Sequence, residues 1–241
     1  SVSCLLEYAY DDWCIARMAQ EMGKEDIYKK YIERSQNYIN VFDGATRFFR
    51  GKRMDGNWES PFNPLAVGRA YTEATAWQYR FFVPHDVNGM IQLFGGKEEF
   101  VAALDDIFNT DAEIHGNLVD ITGLIGQYVH GNEPSHHIAY LYNYVGEPWK
   151  TQKMSRRLLN EMYHPTPEGI IGNEDCGQMS AWYILSSMGL YSVCPGSNEY
   201  VLTTPLFEKV VVHLANGRTL TILANDPQKN IYITKVELNG K

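Results

Sequence analysis

Apolar residues recur at helical spacing through the first four-fifths of the chain and then give way to β-branched alternation. The helical stretches cover residues 2–21, 25–40, 73–82, 87–94, 97–108, 135–145, 148–162 and 177–188. Tyr28, Tyr31, Ile32, Tyr38 and Ile39 mark one apolar face. After Leu190 the runs 200–204, 210–214, 219–223 and 231–236 read as strands. Asn216-Gly217 supplies a hairpin turn, and a small antiparallel sheet is expected. Two loops, 42–70 and 113–130, are longer than a connection needs, and such loops build sites. The predicted organisation is a helical portion over residues 1–190 with a β-strand segment packed on it over 191–241.

Composition narrows the function classes. With 241 residues and 44% hydrophobic content the chain can bury a large core. A net charge of −8 repels phosphate backbones, so nucleic acid is not an expected partner. Five tryptophans suit stacking on sugar faces. Cys4, Cys14, Cys176 and Cys194 show neither CxxC spacing nor the density of a disulfide scaffold, and read as reduced thiols. There is no apolar run of bilayer-spanning length and no signal-peptide pattern, while the opening residues already read as helix. The chain is therefore expected to begin within a domain.

Three short runs carry chemistry. In Tyr71-Thr72-Glu73-Ala74-Thr75-Ala76-Trp77-Gln78-Tyr79 a lone acid stands among aromatics at a helix start, with Thr72 as the expected cap. Apolar surroundings raise a carboxyl pKa, the profile of a proton donor. A solvated acid favoured by the helix dipole is the alternative. Gly131-Asn132-Glu133-Pro134-Ser135-His136-His137 sets hard oxygen donors at a helix entrance, and such donors suit calcium. Zinc does not fit, because adjacent histidines diverge on a helix and the i, i+4 pair is missing. His136 and His137 either pack and bond loop carbonyls or contact sugar hydroxyls. In Gly172-Asn173-Glu174-Asp175-Cys176-Gly177-Gln178 adjacent acids open a helix; Asp175 can cap it, act as a base, or both. Trp58, in the long loop, offers either packing or a sugar-stacking face.

Together these runs, with Leu6-Glu7-Tyr8-Ala9-Tyr10-Asp11-Asp12-Trp13 and Val83-Pro84-His85-Asp86-Val87, resemble the calcium-dependent exo-acting α-mannosidases of glycoside hydrolase family 92. The resemblance implies a mainly α fold, part of an (α/α)6 toroid followed by a small antiparallel β tail, and a preceding N-terminal β-sandwich absent from this chain. About eight helical stretches stand against about twelve in a closed toroid, so the chain is expected to be a C-terminal part of the catalytic domain.

The resemblance further implies inverting release of terminal mannose from α-mannosides such as α-1,2-linked N-glycan mannose. Glu73 would be the general acid, and Asp175, helped by Glu174, the base. Calcium would be held by Asn132 and Glu133, with Trp77, His136, His137 and Trp58 against the substrate. Inversion calls for carboxyl groups roughly 6.5–9.5 Å apart. Periplasmic, cell-surface or secreted placement is implied on the same ground. A toroid glycosidase of the glucoamylase or trehalase kind, and a fragment that binds sugar without turnover, are the other readings.

Overall fold

The computed structural model describes residues 1–241, which fall into two compact units: 1–138 with 194–197, and 139–193 with 198–241. In the first unit, helix α1 (Val2–Glu21) packs along α2 (Glu25–Arg34). The chain then tightens into a 3-10 turn over Ser35–Val41. That tightening corrects the single helix expected over 25–40. Three residues per turn instead of 3.6 rotates later positions off the apolar stripe. Only Tyr38 of the marked face is buried, and Ile39 is 45% exposed.

Strands β1 (Phe42–Asp43) and β2 (Phe48–Phe49) pair antiparallel ahead of the long loop. The next helix, α3, covers only Ala76–Tyr79, not 73–82. Thr75 is its cap instead of Thr72: the Thr75 hydroxyl accepts the Trp77 N–H at 3.2 Å, and Gln78 Oε1 accepts the Thr75 N–H at 2.7 Å. This reciprocal capping box fixes the helix start three residues later than the apolar pattern suggests.

Helices α4 (Val87–Phe94) and α5 (Lys97–Asn109) follow, joined through Gly95 and Gly96 at φ 102° and 116°. Phe81, Phe94 and Phe100 meet with ring centroids 5.2–5.5 Å apart and form the centre of this core. Strands β3 (Leu124–Ile125) and β4 (Tyr128–Val129) make a tight hairpin. At its turn Gly126 has φ 60°, and a Cβ there would lie 2.6 Å from the Ile107 carbonyl, so only glycine fits. The stretch expected as a helix over 135–145 is 3-10 in two pieces, Glu133–Ser135 and Ile138–Val145. Tertiary bonds from the two histidines between them, described below, outweigh helical propensity there.

The second unit holds α6 (Pro148–Glu161) and α7 (Gln178–Met188). Its core is aromatic: Tyr140 stacks on Tyr191 at 4.3 Å and Tyr163 on Trp182 at 5.9 Å. The β tail is two separate antiparallel pairs, not one sheet. β5 (Leu190–Tyr191) pairs with β6 (Val201–Leu202), and β7 (Lys209–His213) with β8 (Thr219–Leu223), the second through the predicted Asn216-Gly217 turn.

Residues 231–236 form no strand. Their backbone bonds side chains instead, the Ile231 carbonyl taking Thr204 Oγ1–H at 2.6 Å and the Ile233 N–H reaching Gln152 Oε1 at 3.0 Å. Arg156 fixes the same tail by donating to the Pro205 and Pro227 carbonyls, both at 2.9 Å. No helix is long and apolar enough to cross a membrane.

Candidate active site

Glu73 stands in the turn before α3, in left-handed backbone conformation at φ 52°, with its side chain exposed. The expected aromatic enclosure is absent, because the rings pack on one another. Tyr71 and Tyr79 stack at 6.4 Å, while Trp77, 8% exposed, meets Phe48 edge-on at 5.0 Å and lies under the Arg80 guanidinium. Trp77 thus packs into the core beside the turn that carries Glu73. What holds Glu73 is its main chain: Asn132 Nδ2 donates to the Glu73 carbonyl at 2.9 Å.

Asn132 is 5% exposed, and its Oδ1 also accepts the Glu133 N–H at 3.1 Å. Its amide is therefore committed at both ends. Asn132 and Glu133 carry oxygen donors of the kind calcium takes, but no group of three or more carboxylate, imidazole or thiolate side chains converges among the described residues. Calcium needs six to eight oxygens. Carboxylates alone do not compose such a cage here, and amide, hydroxyl, backbone and water oxygens would have to supply the rest.

Both histidines of the run are buried and hold loops. His136 Nε2–H donates to the His130 carbonyl at 2.9 Å and His137 Nε2–H to the Phe81 carbonyl at 2.8 Å. Facing a carbonyl, each Nε2 must carry the hydrogen. Burial pushes both imidazoles down to about 4, so they are neutral. His130, beside Tyr128 Oη at 2.9 Å, is pushed down to about 2 by burial and by His136. Of the two readings open for the pair, packing with carbonyl bonds is the one this arrangement supports.

In the second unit Glu174 and Asp175 separate in role. Glu174 Oε1 accepts the Met179 N–H at 3.0 Å and Oε2 the Ser180 N–H at 3.2 Å, with the Ser180 hydroxyl also bonded. Glu174, and not Asp175, therefore satisfies the orphan donors at the start of α7. Asp175 is exposed and lies outside this cap. It is followed by Cys176 at φ 52° and Gly177 at φ 79°, two consecutive left-handed residues. Left-handed conformation in residues other than glycine costs free energy and clusters at functional sites. Both carboxylate turns carry it, at Glu73 and at Cys176. Only Gly177 hinted at this in the sequence.

Trp58 is half-buried, with the Lys52 ammonium 4.4 Å and the Arg50 guanidinium 5.7 Å from its ring. Cations already attend that ring. One titratable residue stands in a family-like run of the sequence that was given no role of its own. Glu7 of α1 is half-buried, its Oε1 accepting Tyr79 Oη–H at 3.3 Å. Burial pushes its carboxyl up to about 7, with Asp11 adding and the Tyr79 bond opposing. The signal was Leu6-Glu7-Tyr8, an acid between apolar neighbours on a helix.

The family model of the glycosyl hydrolase family 92 catalytic domain matches residues 1–241. The chain belongs to glycosyl hydrolase family 92. Among curated proteins, an uncharacterised secreted glycosidase of Arthroderma benhamiae is 32% identical over all of this chain and 32% of its own length. Among solved structures, a family GH92 α-mannosidase of Bacteroides thetaiotaomicron in complex with mannoimidazole is 43% identical at TM-score 0.94, over 100% of this chain and 33% of that one. A family GH92 inverting mannosidase of the same species is 39% identical at TM-score 0.82, over 94% of this chain and 32% of its own.

The chain spans about a third of the length of these relatives. It is a part of a GH92 catalytic domain, mainly α, of (α/α)6-toroid class with small antiparallel strand pairs.

Proposed function

We propose that this GH92 chain contributes to hydrolysis of α-mannosides, releasing terminal mannose from a glycan by single displacement with inversion. The observation that carries the reading is that two carboxylates of the family-like runs, Glu73 in the first unit and Asp175 in the second, are each exposed in a turn marked by a left-handed residue, the first turn bonded by the Asn132 side chain and the second by the Glu174 side chain. The Bacteroides relatives, one named an α-mannosidase and one an inverting mannosidase, support the substrate and the stereochemistry.

In this reading Glu73 gives its proton to the glycosidic oxygen as the C1–O bond breaks. Asp175 takes a proton from the water that adds to C1 from the opposite face. Glu174, spent on the α7 cap, orients the turn and does not move a proton. Asn132 holds the main chain under Glu73. His136 and His137 hold loop carbonyls, and Trp77 and Trp58 stiffen the walls around the acid turn and the long loop. Calcium remains an expectation from the family resemblance, with Asn132 and Glu133 as its donors; the chemistry it would supply is a grip on vicinal hydroxyls. The name of the fungal relative supports placement outside the cytoplasm, secreted or at the cell surface.

The test is hydrolysis of α-1,2-mannobiose by the intact protein, with the product anomer followed by proton NMR. β-Mannose as first product, lost in Glu73→Gln and in Asp175→Asn, is expected. α-Mannose as first product would overturn the inverting assignment. Mannose binding without turnover would instead favour a sugar-binding role.

A further inference from the structure

The turn that carries Glu73 is gripped from both sides by the first two turns of helix α1. Ser3, 1% exposed, accepts the Thr72 N–H on its hydroxyl at 3.1 Å and bonds Thr72 Oγ1 at 3.0 Å. The Val2 and Ser3 N–H groups both donate to the Ala70 carbonyl, at 2.9 and 3.1 Å. Segment 70–72 thereby satisfies donors that the helix start leaves unpaired. Four residues after Ser3, on the same helix face, Glu7 takes the Tyr79 hydroxyl at 3.3 Å, beyond the other end of the turn. Tyr79 is buried and stacks on Tyr71, so the residues two before and six after Glu73 are tied to each other as well as to α1.

We propose that Ser3 and Glu7 are positioning residues for Glu73, with α1 acting as the splint that aims the general acid at the leaving-group oxygen. The proposal rests on the reading of Glu73 as that acid. A backbone in left-handed conformation does not hold its side-chain direction by local preference, since the extended and helical basins are lower. Something outside the turn must over-determine it. Asn132 fixes the Glu73 carbonyl alone. The bonds from Ser3 and Glu7 fix the chain before and after it. Glu7 also faces Asp11 along its own helix, and the low-dielectric surroundings that push its carboxyl up to about 7 make the Tyr79 bond costly to lose.

A misaimed acid has a signature that general damage lacks. Proton donation matters for a sugar leaving group and hardly at all for a dinitrophenolate, which leaves unprotonated. Hydrolysis of α-1,2-mannobiose and of 2,4-dinitrophenyl α-mannoside is therefore compared in the intact protein for Ser3→Ala, Glu7→Ala, Glu7→Gln, Tyr79→Phe and Glu73→Gln. Misplacement of about an ångström costs roughly 10²-fold. We expect kcat on mannobiose to fall roughly 10- to 100-fold in Ser3→Ala and Glu7→Ala with KM nearly unchanged, and the dinitrophenyl substrate to lose no more than about threefold.

Glu7→Gln, whose amide still accepts the phenol, restores most of the rate, and Tyr79→Phe behaves like Glu7→Ala. Equal losses on both substrates, or no loss on either, overturn the proposal. Should Ser3→Ala not fold, the Glu7 and Tyr79 variants decide it alone. Glu73→Gln is the separate control. If it fails to lose mannobiose hydrolysis selectively, the assignment of the acid is wrong; if it does and the α1 variants do not, only the splint is.

Discussion

Glu73 holds φ 52° without being glycine, and this should be visible as stored free energy. For an L-residue the left-handed region costs about 1–2 kcal/mol. Asparagine tolerates that region, and so Glu73→Asn should recover about 1 kcal/mol. Glycine removes the clash outright but loses about 0.5–1 kcal/mol through the wider freedom of the unfolded chain. Glu73→Gly should therefore gain less than about 1 kcal/mol.

Glu73→Gln keeps both the backbone conformation and the side-chain length, and should change stability by no more than about 0.5 kcal/mol, since the side chain is exposed. The bond from Asn132 Nδ2 uses the main-chain carbonyl and survives in all three variants. In a unit of this size 1 kcal/mol corresponds to about 2–4 °C in Tm. The assay is thermal and urea unfolding followed by tryptophan fluorescence, with Trp77 four residues away as a local reporter. The expected order of stability is Asn above Gly above Gln, all three without turnover. If Glu73→Asn and Glu73→Gly are both less stable than Glu73→Gln, the residue is not strained, and the link between strain and function at this turn is refuted.

Three further outcomes follow from the same structure. His137 is neutral and buried with its pKa pushed down to about 4, below its usual 6.5, so its contribution is whole above 6.5 and drains away as pH falls towards 4; the loss is about 2 kcal/mol by pH 5. His136 and His130 are pushed down by burial as well and drain over the same range, so urea midpoints at pH 7 and 5 are compared between the parent and His137→Gln, which should lessen the dependence by about that amount and leave the rest. Glu174→Ala removes the cap of α7 and should cost about 1–2 kcal/mol, while Asp175→Ala, outside the cap, should stay within about 0.5 kcal/mol; the reverse order in chemical denaturation would contradict the cap assignment. With no group of three carboxylate, imidazole or thiolate side chains converging at Asn132 and Glu133, calcium should bind this chain in about the 10⁻⁴–10⁻³ M range by calorimetry, and submicromolar binding would show a complete cage.

By itself the sequence determined the α-rich class, the β7–β8 hairpin and the ends of α1, α4 and β8. These are features whose cause is local: apolar spacing, a cap, an Asn-Gly turn. It also named the runs that bear Glu73, Asn132 and Asp175, because rare residue combinations survive without coordinates. It did not determine which acid is buried and which is exposed. Aromatics adjacent to Glu73 in sequence turn towards Phe48, Arg80 and each other, while Glu7, distant in sequence, meets Tyr79 and takes up the burial.

The same limit moved the helix start from Thr72 to Thr75, gave the α7 cap to Glu174, and left His136 and His137 open between two readings until the structure bonded both to loop carbonyls. Each of these hangs on a side chain choosing between partners of similar local merit. A hydroxyl, carboxylate or imidazole can satisfy its bonds in several ways within a few residues, and only packing of distant segments removes all but one. The left-handed turns at Glu73 and Cys176 are tertiary decisions of the same kind. No local preference selects them, so bonds from outside must hold the chain there: those from Ser3 and Asn132 flank Glu73, and the Glu174 side chain ties the turn before Cys176 to the start of α7.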